Sequence, residues 1–238
     1  MRAVNRSVPG EGAVSWHVLA DGAQLEAVVA KRILALADAA LADHGSFRIV
    51  LAGGRTPAAV YRRLAAAETD WSQWQVYFGD ERCLPAGDPE RNSVMAARAW
   101  LDRVPVPPSH IHGIPAEQGA EAAAAVYSGT VRDALPFDLV LLGMGEDGHT
   151  VSLFPGQAHD PGALVHAVHD APKPPPDRVS LGLAALNAAA AVMVLVTGEA
   201  KREAVKRWRR GEDLPVARVQ GRHGVEVYLD AAAAGIEA

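Results

Sequence analysis

Leu139-Val140-Leu141-Leu142-Gly143-Met144-Gly145-Glu146-Asp147-Gly148-His149-Thr150 begins as a short apolar run and ends in three glycines, two carboxylates and a histidine. The apolar half predicts a buried strand. The glycines let the backbone after it turn sharply and come close to a ligand, because no Cβ obstructs either. An acid and an imidazole at the carboxyl end of a buried strand stand where open α/β sheets bind their ligands. Outward from this stretch the chain alternates. Asp21 is expected to cap an amphipathic helix running to about His44, with Gln24 at the matching capping-box position. Phe47 to Leu51 reads as a strand, and Pro57 begins a helix that Thr56 would cap. Gln75 to Phe78 is a second strand, and helices are expected over Ser93 to Leu101 and Gly119 to Arg132. Val179 to Leu183, Val192 to Val196 and Val225 to Leu229 read as further strands, with Thr197 capping a helix that contains Lys201. Strands alternating with helices imply an α/β fold with a mostly parallel sheet covered on both faces. The Pro-rich stretch Pro155 to Pro176 reads as a surface lid or loop.

Length and charge exclude several classes of function. The 238 residues can bury a substantial core, and the reading is a single domain over 1–238 with an N-terminal extension of about fourteen residues. A net charge of -5 argues against a nucleic-acid partner. The basic run Lys206 to Arg210 fits a solvated helix end, where cations complement the dipole. Cys83 is the single cysteine, so no intrachain disulfide can form. No apolar run reaches membrane-spanning length and no signal peptide is evident, so a cytoplasmic protein without a membrane partner is expected.

Four strand ends carry polar chemistry. After the first comes Gly53-Gly54-Arg55-Thr56-Pro57, a glycine turn entering a helix, whose free N–H groups suit an anion. This is neither a Walker loop nor a dinucleotide fingerprint. After the second come Asp80, Glu81 and Arg82, with Arg91 and Asn92 beyond; the third carries Asp147 and His149; the fourth leads to Lys201. His149 can take a proton from water and return it, since imidazole titrates near neutrality. Either Asp80 or Asp147 can orient that ring, and Arg82 suits an oxyanion or a phosphate. His159, His166 and His169 match no zinc spacing, so no metal is expected. Cys83 reads as a small buried side chain, His110 and His112 as loop residues, and Trp71 and Trp74 as packing at the sheet edge.

Leu51 to Pro57, Asp80-Glu81-Arg82 with Arg91-Asn92, and the long block Gly143 to Gly156 resemble the 6-phosphogluconolactonase family over about residues 15–230. The resemblance implies a three-layer αβα Rossmann-like fold of the ribose-5-phosphate isomerase and glucosamine-6-phosphate deaminase type. It also implies cofactor-free hydrolysis of 6-phospho-D-glucono-1,5-lactone in the pentose phosphate pathway, by a monomer or small homo-oligomer. Gly53, Gly54, Thr56, Asn92, Arg178 and Lys201 would hold the phosphorylated sugar, and Arg55 stands where a serine is usual in the family. Two rivals are disfavoured. In the aminosugar deaminases a glutamate stands at the place of Phe154 and a tyrosine at that of Arg82, and phenylalanine cannot transfer a proton. A non-catalytic sugar-phosphate sensor would carry a DNA-binding module ahead of the sheet, for which about fifteen residues leave too little room.

Overall fold

The computed structural model describes residues 14–236. After β1 (Val14–Leu19), Asp21 caps α1 (Gly22–His44): its carboxylate accepts from Gln24 N at 2.8 Å, while the Gln24 side chain accepts from Ala20 N at 2.7 Å. Gly45, with φ 78°, ends the helix in the left-handed conformation that glycine adopts without penalty. Then follow β2 (Phe47–Leu51), α2 (Arg55–Leu64), β3 (Trp74–Phe78), β4 (Asp80–Arg82), α3 (Asn92–Ala99) and β5 (Ile111–His112). The second half contains α4 (Ala120–Ala134), β6 (Leu139–Gly143), β7 (Val165–Val168), β8 (Arg178–Leu181) and α5 (Leu183–Asn187). It closes with β9 (Ala191–Val196), α6 (Arg202–Arg209), β10 (Val225–Asp230) and α7 (Ala231–Ala234).

Seven strands form one parallel sheet in the order β1-β10-β9-β6-β2-β3-β5. β9 and β6 in the middle of the sheet are apolar along their length because helices cover the sheet, and β2 departs from this only at Arg48. From β2 the chain moves outward through β3 to β5, then returns to the other side of β2 and proceeds through β6, β9 and β10. The direction of winding reverses between β2 and β6, and the crevice at their carboxyl ends is where such sheets take ligands. The four strands whose ends carry polar chemistry, β9, β6, β2 and β3, are consecutive neighbours around that point.

Several local expectations are corrected. Asp80 to Arg82, expected only as the polar residues that follow the second strand, is itself a short strand, and it pairs antiparallel with β8, which pairs with β7. The stretch from Pro155 to Pro176 therefore contains a strand of a second, three-stranded sheet and is not wholly a loop. Gly54, not Thr56, precedes α2, so Pro57 is its third residue rather than its first. The Thr56 and Thr197 hydroxyls cap nothing; they bond each other at 2.6 Å, tying the ends of β2 and β9 together. Lys201 closes a short 3-10 turn before α6. His112 is in β5, stacked on Tyr77 and bonded to Gln75. Cys83 is only partly buried.

Aromatic packing fixes the β3 side of the sheet. Trp74 lies edge-on to Phe47 at 4.7 Å and to Trp100 at 5.6 Å, and Trp71 completes the cluster. Tyr61 of α2, fully buried, accepts from Ala52 N and donates to Ala52 O, both at 2.9 Å, and so anchors the carboxyl end of β2. No helix among the described residues is long and apolar enough to cross a membrane.

Candidate active site

A cavity of about 440 Å³ opens at the carboxyl ends of β2 and β6. Gly53 and Gly54 form one wall, and Gly143, Gly145 and His149 another. At Gly145 a Cβ would fall 2.0 Å from His149 Nδ1 and 2.4 Å from an Asp147 oxygen, so only glycine permits this turn. Gly148, at φ 89°, completes it, and Gly145 N donates to His149 O at 2.8 Å. Asp147 Oδ1 accepts from His149 N at 3.1 Å and lies 2.6 Å from His149 Nδ1. This places the imidazole proton on Nδ1 and leaves Nε2 as the basic nitrogen. Burial pushes the His149 pKa below the usual imidazole value, against an upward pull from Asp147. Burial pushes Asp147 up, but the His149 backbone N–H and ring outweigh it and hold the carboxylate below its ordinary range.

The residues after His149 lock the loop. Thr150 Oγ1 donates to Gly143 O at 2.9 Å, and Val151, which lines the cavity, is held at φ 46°, a costly conformation for a β-branched residue. Ser152, fully buried, donates to Asp80 Oδ2 at 2.7 Å. Phe154 packs against His149 with ring centroids 4.7 Å apart.

Strand alternation explains the Asp80-Glu81-Arg82 triplet. Asp80 and Arg82 share one face of β4 and line the cavity. Glu81 points the other way, accepting from Asn92 N at 2.8 Å and Ser93 N at 2.9 Å, and thereby caps α3. Asn92 in turn donates to Asp80 Oδ1 at 2.9 Å. It also packs so closely on Gly53 that a Cβ there would lie 2.0 Å from its side-chain oxygen. Burial pushes the Asp80 pKa up, opposed by the Ser152 hydrogen bond.

Arg82 and Arg178 are direct cross-strand partners in the β4–β8 ladder. Like charges placed opposite each other destabilise a sheet, so this pairing fits an anionic ligand. Arg82 Nε is buried without a hydrogen-bond partner, while Nη1 donates to Glu90 O. Arg178 is fixed by the carbonyls of Lys173, at 2.7 Å, and Pro175, at 3.1 Å, and stands over the Phe154 ring. Lys201 and Lys173 complete a cationic rim, and burial lowers the pKa of both Arg178 and Lys201.

The fold and this arrangement coincide with a known family. The glucosamine-6-phosphate isomerase/6-phosphogluconolactonase family matches residues 20–228. The chain belongs to this family. A 6-phosphogluconolactonase of Streptomyces coelicolor is 40% identical over 232 residues, 88% of each chain. That of Mycobacterium tuberculosis is 38% identical over 242 residues, covering 92% of this chain and 97% of its own. The crystal structure of the Thermotoga maritima 6-phosphogluconolactonase superposes with a TM-score of 0.86 at 28% identity, covering 92% of this chain and all of that one. A monomeric glucosamine-6-phosphate deaminase, 21% identical, shares the fold with a TM-score of 0.80.

Within this family's frame, the cavity gathers most of the residues expected from sequence. Gly53, Gly54, Asp80, Arg82, Asn92, His149, Arg178 and Lys201 line it, and Asp147 reaches it through His149. Arg55 and Thr56 do not: Arg55 is exposed outside the lining, and the Thr56 hydroxyl is engaged by Thr197. Sequence reasoning missed Lys173, which lies in the Pro-rich stretch and had no motif around it, and Ser152, which positions Asp80. Among the described residues no group of three or more His, Cys, Asp or Glu is arranged to hold a metal ion. His159 and His166 are neighbours, whereas His169 bonds Asp177 and Glu121.

Proposed function

We propose that the cavity hydrolyses 6-phospho-D-glucono-1,5-lactone to 6-phospho-D-gluconate, with His149 as general base. The observation that carries this reading is the 2.6 Å Asp147–His149 pair on the wall of a cavity rimmed by cations. His149 Nε2 takes a proton from water as its oxygen attacks the lactone carbonyl carbon, and Asp147 stabilises the imidazolium that forms. Arg82, whose guanidinium side chain lines the cavity, stabilises the oxyanion of the tetrahedral intermediate. Collapse breaks the bond to the ring oxygen, which leaves with the proton returned by the imidazolium. The phosphate rests on the Gly53–Gly54 turn, neutralised by Arg178, Lys201 and Lys173.

Phe154 favours the lactonase over aminosugar deamination, since it presents an aromatic ring to His149 and no acid. The deciding experiment follows freshly generated lactone against its spontaneous opening, with glucosamine 6-phosphate assayed in parallel for ammonia. Accelerated opening without ammonia is expected. Ammonia release at a rate comparable with lactone opening would sink the assignment.

A further inference from the structure

Among the described residues, Val151 and Asp170 have positive φ without being glycine, at 46° and 53°. Aspartate visits the left-handed region readily, whereas a β-branched valine does not. Leu153 N donates to Thr150 O at 2.9 Å, closing a four-residue turn with Val151 at its first central position. Positive φ at that position and not at the next is the pattern of a type II′ turn, where glycine is the usual residue. A strain that glycine would relieve, kept on the wall of the cavity, calls for a reason in the side chain.

That side chain meets the junction of β3 and β4. Gly79 joins these strands, and a Cβ built on it would fall 2.9 Å from Val151 Cγ1, beside Leu51 O and Val50 Cγ1. The valine therefore seats in the space that the glycine leaves. At the next position, Ser152 donates from Oγ to Asp80 Oδ2 at 2.7 Å and from N to Ser180 Oγ at 3.1 Å. Adjacent residues of one turn thus act in opposite senses. Ser152 draws the His149 loop onto β4 and β8, and Val151 limits how close it comes.

We propose that Val151 is a positioning residue, a strut that sets the spacing between the base on the His149 loop and the cation on β4. The proposal rests on the lactonase reading, in which His149 drives water onto the carbonyl carbon while Arg82 holds the oxygen. A change in that spacing weakens the transition state more than the bound ground state. Phosphate binding is spared, because the Gly53–Gly54 turn and Lys201 follow β2 and β9 and do not lean on Val151.

A double-mutant cycle across the contact tests the strut. Val151→Gly relaxes the backbone and removes the wedge. Its kcat should fall roughly tenfold or more, while KM and the Kd of 6-phosphogluconate stay within about twofold of wild type. Its urea midpoint should not drop, since the side chain lost is partly exposed and the strain is relieved. Val151→Thr, with the same branching, should keep kcat within about threefold. Gly79→Ala presses a methyl group on Val151 and should lower both kcat and midpoint. In the Val151→Gly background the same methyl takes up the freed space and should recover most of the lost kcat. A methyl at position 79 cannot cure added flexibility at position 151, so this rescue separates a strut from a merely stiff loop. Near wild-type kcat in Val151→Gly, a midpoint that falls with kcat, or a double variant no more active than Val151→Gly each overturns the proposal. Additive midpoints in urea, a measurement without lactone, overturn the contact itself. A wild type that does not accelerate lactone opening overturns the lactonase reading and the strut's catalytic role, while the unfolding arm still judges the contact.

Discussion

His149 is the residue on which the proposed chemistry turns, and its surroundings set what its replacement should do. In His149→Asn the side chain stays polar but cannot take a proton near neutrality, so kcat should fall by about 10²–10⁴-fold. Binding of 6-phosphogluconate, measured by calorimetry, should survive, because the cations of the rim are untouched. A folded variant that keeps near wild-type turnover would move the base elsewhere. The pH profile carries a second test. Burial depresses the His149 pKa, so the neutral base persists below pH 6.5, the ordinary imidazole value, and the acid limb of kcat/KM should lie below it. Asp147 pulls that pKa upward, so Asp147→Asn should shift the limb to still lower pH while also lowering the rate. A limb that moves up in this variant contradicts the pairing. At this scale the sequence was readable where spacing is local: Asp147 and His149 are two residues apart, and one turn brings them together. Lys173 was not readable, because only the path of the Pro-rich chain between β7 and β8 delivers it to the rim.

The turns and strands that carry these residues leave them little room to move. Gly145→Ala would drive a methyl group into the His149–Asp147 pair, so activity should collapse while the sheet, which does not depend on that turn, keeps its far-ultraviolet dichroism. Retained turnover in this variant would mean that the pair relaxes freely. Tyr61→Phe tests the anchor of β2. Losing both bonds to Ala52 in a buried position should cost about 1–3 kcal/mol in urea unfolding, with KM rising if the Gly53–Gly54 turn loosens. An unchanged midpoint would show that water or another group replaces the hydroxyl. β6 and β9 were legible because four or more consecutive apolar residues admit few other readings. The small sheet was not. β4 is three charged residues long, and its pairing with β8 spans almost a hundred positions, beyond any local period. Thr56 and Thr197 misled for a related reason: each has a cap's chemistry, and their mutual bond exists only once β2 and β9 are both in place.

At the scale of the molecule, the winding reversal between β2 and β6 brings the four strand ends together, and the aromatic cluster beside it holds the β3 side in register. Trp100 is fully buried among Trp71, Trp74 and Tyr61, so Trp100→Ala should cost about 3–5 kcal/mol in denaturant unfolding. A loss under about 1 kcal/mol would mean that the cluster collapses around the gap. The overall architecture was legible from alternation of strand and helix, whereas the site's depth came from packing that no single stretch encodes.

The placing of Arg82 opposite Arg178 in the β4–β8 ladder has a consequence for the protein between turnovers. Two like charges opposite each other in one ladder repel, and on the proposed function a bound phosphorylated sugar would offset that repulsion. Folding and metabolite supply thus become linked. At tenfold excess over its Kd, 6-phosphogluconate should add about 1.4 kcal/mol of stability and lift Tm by roughly 3–6 °C. Without phosphorylated sugar, the same chain should unfold at the lower of the two temperatures.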